Sequence, residues 1–253
     1  MRVVLSEKYR SKKPELLNLV ENFEEQGNLI TNGKRNKIKV FELGKEEINI
    51  KSFKIPNHIN KIAYSFFRKS KAERSFIYAQ ILLSRGILTP QPVGFMEEKN
   101  RLLINKSFYS SENLKYDFSF REINEQDNFP NREAVLRAFT RFTYRLHENG
   151  VNFLDHSPGN TLIVRKGNDY DFYLIDLNRM KFQKMNMDER LQNFSRLTIK
   201  TEVMKIMANE YSILSGQPEE EIFQKILFFS NQFQENRNKK RAMKRKFRSL
   251  FSN

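Results

Sequence analysis

Cysteine is missing from all 253 residues, which removes disulfides, thiolate zinc sites and cysteine nucleophiles together. That absence fits a reducing compartment. Tryptophan is missing too, although 23 phenylalanines supply aromatic bulk for a core. No apolar run approaches the roughly 18–20 residues that a membrane span requires. Met1–Arg10 is charged rather than apolar, unlike a secretory signal, so the expected location is the cytoplasm. There is no Gly-x-Ser-x-Gly elbow, which weakens a hydrolase reading. His58, His147 and His156 are not at ligand spacing, and packing or surface roles are expected for them. Acidic residues are the scarcer charge: 30 Asp and Glu face 45 Lys and Arg, a formal net charge of +15. Such a balance attracts polyanions, whether nucleic acid, an anionic bilayer face or phosphorylated substrates.

What is present speaks for a folded protein, since 39% hydrophobic content is ample for a core. Residues 1–25 suit a short amphipathic helix through Leu16, Leu17, Leu19, Val20 and Phe23. Alternation in Ile38–Phe41 and Ile48–Lys51, with Gly44 between, predicts a hairpin of half-buried strands ended by Pro56. Ile59–Arg85 reads as a helix with the basic knot Arg68–Lys71 in its middle and Gly86 as its stop. Val93–Met96 and Leu102–Ile104 read as strands around a polar turn at Glu97–Asn100. Residues 107–130 are irregular in pattern and are expected to be a hinge and linker.

The second half opens on a strong helix, Asn131–His147, with Val135, Leu136, Phe139, Phe142 and Leu146 on one face and Gly150 closing it. Thr161–Val164 and Tyr170–Ile175 flank the hairpin turn Lys166–Asp169. Met187–Leu214 and Glu219–Phe233 are helical in pattern. Strands first and helices later predict a two-lobed α+β protein: residues 1–106 as a β-rich lobe preceded by a helix, 131–235 as a helical lobe, and 236–253 as a basic tail.

One stretch carries chemistry. Asp155-His156-Ser157-Pro158-Gly159-Asn160 is followed, after the hairpin, by Leu174-Ile175-Asp176. A carboxylate, an amide five residues on, and a second carboxylate ending an apolar strand are what phosphoryl transfer uses. One Asp orients an attacking hydroxyl, while Asn and the other Asp offer hard oxygens to Mg²⁺ on the nucleotide phosphates. The same residues also favour ordinary turns, and it is the helix before and the strand after that favour the catalytic reading. A phosphate-binding Lys is needed on an early strand. Lys51 ends such a strand, with Lys54 as a competitor, and Glu73 on the following helix is a candidate partner or else a solvated charge. Gly27–Gly33 is a weak candidate for a loop over phosphates, since it lacks Gly-x-Gly spacing.

These residues resemble a known family, the lipopolysaccharide-core kinases that act on Kdo or heptose, distant relatives of eukaryotic-type protein kinases. The resemblance runs through Asn49–Lys54, Phe67–Ser75, Gly86–Pro90, Asp155–Asn160 and Leu174–Met180, and covers roughly residues 25–200. It implies a bilobal protein-kinase-like fold, ATP with Mg²⁺, and a sugar hydroxyl near the membrane as acceptor. By position it implies Lys51 as the phosphate lysine, Asp155 as the catalytic Asp, and Asn160 and Asp176 as metal ligands. Two positions depart from the pattern. Phe153 stands where relatives carry His, and Ile77 where they carry the helix Glu, with Glu73 one turn earlier on the same face.

The C-terminal stretch places Lys239, Lys240, Arg241, Lys244, Arg245, Lys246 and Arg248 among Met243, Phe247, Leu250 and Phe251. Basic residues with apolar anchors suit a helix on an anionic membrane surface. A disordered, merely solvated tail is the plainer alternative. No nucleic-acid module accompanies the charge, so no specific nucleic acid is expected. The sequence thus predicts a kinase of a lipid-linked sugar or lipopolysaccharide core, peripheral to the inner membrane. A silent pseudokinase, or a kinase of another small molecule or of protein, is the alternative.

Overall fold

The computed structural model describes residues 1–33, 36–53, 69–100 and 103–250. The chain divides into two compact units, Met1–Lys115 with Tyr173–Asn178 and Tyr116–Phe172 with Arg179–Asn253.

The first unit is built on a six-stranded sheet in the order β1-β5-β6-β4-β3-β2, with every neighbouring pair antiparallel. Its strands are β1 (Arg2–Leu5), β2 (Asn28–Asn32), β3 (Asn36–Leu43), β4 (Glu46–Phe53), β5 (Pro92–Asn100) and β6 (Leu103–Glu112). The β3–β4 hairpin expected from alternation is present, with Ile38 opposite Lys51 and Phe41 opposite Ile48. Period-2 geometry sends Ile48 and Ile50 to one face and Lys51 and Phe53 to the other. Helix α1 (Lys13–Glu21) covers the first face: Leu16, Val20 and Phe23 pack with Phe41, Ile48, Ile50 and Phe108. Helix α2 (Lys71–Ser84) covers the second: Ala72 and Phe76 pack with Phe53, Phe95 and Tyr109. Lys51 therefore sits on the α2 side of the sheet.

Several expectations are corrected here. Arg2–Leu5 is a strand, because its backbone pairs with Gly94–Glu97 far along the chain. Gly27–Gly33 is mostly β2, an exposed edge strand paired to β3. Lys69 and Ser70 of the basic knot do not lie inside a helix. Ser70 is the N-cap of α2, its hydroxyl accepting from the Glu73 N–H at 3.0 Å. Gly86, at φ +71°, follows the helix end as expected. The predicted start at Ile59 lies outside the described residues, as do Lys54, Pro56, His58, Arg68 and Phe251. Glu97–Asn100 continues β5 rather than turning. Residues 107–112 complete β6, where small serines fit a packed sheet: Ser110 is fully buried and donates to the Gly94 carbonyl at 3.1 Å.

The second unit holds a three-stranded sheet, β10-β9-β7, and a two-stranded one, β11-β8. The strands are β7 (Phe118–Ser119), β8 (Val151–Phe153), β9 (Thr161–Lys166), β10 (Asp169–Leu174) and β11 (Met180–Phe182). Its helices are α3 (Phe120–Glu125), α4 (Arg132–Glu148), α5 (Met187–Gln192), α6 (Thr201–Ser215) and α7 (Glu219–Leu250). The five apolar residues singled out on α4 are all buried. Phe139 stacks on Phe120 at 4.0 Å between ring centroids, and Phe142 stacks on Phe172 at 5.1 Å. The continuous helix expected over Met187–Leu214 is instead two helices joined by a 3₁₀ turn at Asn193–Arg196. Helix α7 runs on beyond Phe233, and residues 235–247 are exposed on every side.

Candidate active site

In the first unit, Lys51 donates a hydrogen bond of 2.7 Å to Oδ1 of Asp176. Two elements make this pair. Lys51 is carried by β4 against the Phe53 ring, 5.3 Å from its centroid. Asp176 follows the end of β10, where the Leu174 N–H donates to the Leu88 carbonyl at 3.0 Å and the Leu174 carbonyl accepts from the Thr89 hydroxyl at 2.8 Å. The Gly86–Pro90 segment thus clamps the strand that presents Asp176. Asn178 donates a second bond to the same oxygen, at 2.6 Å. Asp176 itself has φ +59°, a left-handed conformation that Asp tolerates better than most residues.

Glu73 is not the partner of Lys51. Its two oxygens accept from the Arg2 guanidinium at 3.2 and 3.3 Å, and Arg2 also reaches Glu97 at 3.4 Å. Arg2 further covers the Phe95 ring. The β1 strand, invisible in the sequence pattern, is what supplies this competitor.

In the second unit, Asp155 and Asn160 belong to one rigid turn after β8. Asn160 Nδ2 donates to the Asp155 carbonyl at 2.8 Å, the Asn160 N–H bonds the Ser157 carbonyl at 2.9 Å, and the His156 N–H bonds Phe153 at 3.0 Å. Arg196 lies 2.5 Å from Asp155 Oδ1. Below the turn is a polar cluster centred on Asn193. Its Oδ1 accepts from His156 Nδ1 at 3.0 Å, and its Nδ2 donates to the Phe153 carbonyl at 2.9 Å and to Asn152 Oδ1 at 3.1 Å. Since an amide oxygen only accepts, His156 carries its proton on Nδ1. Burial lowers His156 to about 4. Burial foremost, then the neighbouring His156, lowers His147 to about 3. His147 Nδ1 meets the Tyr211 hydroxyl at 2.9 Å. Both histidines are packing residues, as expected.

Asn193 and Arg196 were not singled out in the sequence. No spacing signals them, because Asn193 reaches Asn152, Phe153 and His156, and Arg196 reaches Asp155, from a turn some forty residues later.

The donor chemistry of Asp176 and of Asn160, each taken in its own unit, fits Mg²⁺. Asp176 Oδ2 and Asn160 Oδ1 accept no hydrogen bond among the described residues, and both are hard oxygens of the kind Mg²⁺ takes.

A solved structure, WaaP in complex with acyl carrier protein, superposes with a TM-score of 0.63 over 94% of this chain and 99% of that one, at 17% identity. That likeness shows the fold: α+β and kinase-like, with a sheet-based first unit and a mainly helical second, as the resemblance implied. No curated protein matches the sequence significantly. The profile of the lipopolysaccharide kinase (Kdo/WaaP) family matches residues 21–215. The chain therefore belongs to the lipopolysaccharide kinase (Kdo/WaaP) family, and is a phosphotransferase with an alcohol group as acceptor.

Proposed function

We propose that the protein transfers the γ-phosphoryl group of ATP to a sugar hydroxyl of the lipopolysaccharide inner core, on Kdo or heptose, at the cytoplasmic face of the inner membrane. The observation that carries this reading is the hydrogen-bonded turn fixing Asp155 and Asn160, within a chain matched by the family profile. In this mechanism Asp155 engages the acceptor hydroxyl and orients its oxygen for in-line attack. Asn160 and Asp176 supply oxygen ligands to Mg²⁺. Lys51 neutralises phosphate charge, and the Asn178 bond holds the Asp176 carboxylate in one rotamer. When bound, Mg²⁺ adds electrostatic stabilisation of the phosphates. Glu73, tied to Arg2, supports the first unit and is not assigned to the phosphates.

Incubating the protein with labelled ATP, Mg²⁺ and Kdo- or heptose-bearing lipid A tests the reading. Transfer by the wild type, and its loss in Asp155→Asn with an unchanged circular dichroism spectrum, is the expected result. Undiminished turnover in the variant rules out the role given to Asp155.

Membrane attachment belongs to the same proposal. Among the described residues no helix is long and apolar enough to cross a membrane. Met243 and Phe247, exposed by 64% and 65%, lie four residues apart on α7 among lysines and arginines. An apolar pair amid basic residues suits an anionic bilayer surface, each nearby charge contributing on the order of 1 kcal/mol. Co-sedimentation with vesicles containing anionic lipid, and none with neutral vesicles, is expected.

A further inference from the structure

Two arginines flank Asp155, and they are not equivalent. Arg196 is anchored: Nη1 lies 2.5 Å from Asp155 Oδ1 and donates to the Leu154 carbonyl at 3.1 Å, while its Cζ sits 5.3 Å from the centre of the Phe233 ring. Its role is to hold the carboxylate in place. Arg179 is different. Its Nη1 stands 4.0 Å from Asp155 Oδ2, at the outer limit of an ion pair, and its side chain is 58% exposed. The guanidinium makes no hydrogen bond among the described residues. The backbone beneath it is nevertheless fixed, because the Arg179 carbonyl accepts from the Leu154 N–H at 3.0 Å and Met180 pairs with Phe153 across β11 and β8.

A long, exposed ion pair of this kind contributes little, typically under about 1 kcal/mol. It yields readily to an oxyanion that the guanidinium fork can grip with two parallel hydrogen bonds. A carboxylate whose task is to engage a neutral hydroxyl gains nothing from a second cation. A cation beside it does gain an anion if the acceptor brings one. We propose that Arg179 binds a carboxylate or phosphate on the acceptor sugar, beside the hydroxyl engaged by Asp155, so that the enzyme selects anionic sugars. The inference rests on the assignment of Asp155 above.

Calorimetric titration separates the two. Wild type and Arg179→Gln are titrated with free Kdo, its methyl ester, heptose phosphate and unphosphorylated heptose. Binding of at least one oxyanion sugar about tenfold or more tighter than its neutral counterpart is expected for the wild type, given the strength of charge-assisted bonds. Arg179→Gln should erase that preference and Arg179→Lys retain part of it. Preference for Kdo over its ester identifies a carboxylate, and preference for heptose phosphate a phosphate. No preference in the wild type, or a preference that survives in Arg179→Gln, overturns the inference. A wild type that discriminates charge yet transfers no label from ATP would instead count against the kinase assignment alone.

Discussion

The Lys51 ammonium is bonded to Asp176, while the acidic residue on the neighbouring helix, Glu73, is bonded to Arg2. The two residues therefore predict opposite outcomes. Under the role proposed for Lys51, Lys51→Met should lower phosphoryl transfer by about 100-fold or more. Glu73→Gln should leave turnover within about threefold. It should cost about 0.5–1 kcal/mol of stability, because its partner Arg2 is 46% exposed. Steady-state rates and urea midpoints for both variants decide it, and a collapse of activity in Glu73→Gln would restore Glu73 to the phosphate site.

Asn193 joins the turn bearing Asp155 to the helical part of the second unit. Asn193→Ala leaves the Phe153 carbonyl and His156 Nδ1 without their buried partner, at a cost of about 1–3 kcal/mol for each group left unpaired. Activity should fall as well, through displacement of Asp155. Equilibrium unfolding alongside rate measurements checks both, and a variant as stable as wild type would contradict the role.

Gly159 lies against the guanidinium of Arg121. A Cβ there would lie 2.6 Å from Nη2 of Arg121, a contact that forces the guanidinium or the turn to move. Gly159→Ala is expected to raise the KM for ATP severalfold if the turn shifts. Adding Arg121→Ala should relieve the clash and recover most of the loss. A single variant with wild-type kinetics would show that Arg121 simply swings aside.

Acid should destabilise the protein early. His147 and His156 are held neutral by burial down to about pH 3 and about pH 4, whereas the unfolded chain protonates both near pH 6.5. Below pH 6.5 the unfolded state binds more protons than the folded one, so stability falls as pH drops, by up to about 1.4 kcal/mol per pH unit for each histidine. It is fully present above that pH. Unfolding free energies at pH 7.5, 6.5 and 5.5 should show the decline, and a flat profile would contradict it.

Local pattern was enough to read the β3–β4 hairpin, the apolar face of α4 and the turn between β9 and β10, because alternation, helical period and a glycine each act within a few residues. It was not enough for β1, whose Arg-Val-Val-Leu carries no period and pairs with β5 some ninety residues on. Nor could the sequence show that Met187–Leu214 breaks, since the 3₁₀ turn begins at Asn193, whose side chain bonds residues from other elements. The site divides the same way. Asp155, Asn160 and Asp176 stand out in the sequence through their spacing together with the helix before and the strand after. The arginines beside Asp155 and the competitor for Glu73 were set by tertiary pairing alone.

The left-handed backbone at Asp176 narrows what evolution or an experimenter can place there. Most side chains at φ +59° carry a penalty of roughly 1–2 kcal/mol, and only Gly, Asn and Asp adopt it readily. Asp176→Ala would therefore confound a strained backbone with a missing carboxylate, whereas Asp176→Asn keeps the tolerated backbone and replaces the carboxylate with a neutral amide. Of the three residues the backbone accepts readily, only aspartate also brings a negative charge, so conformation and chemistry constrain this position to the same answer.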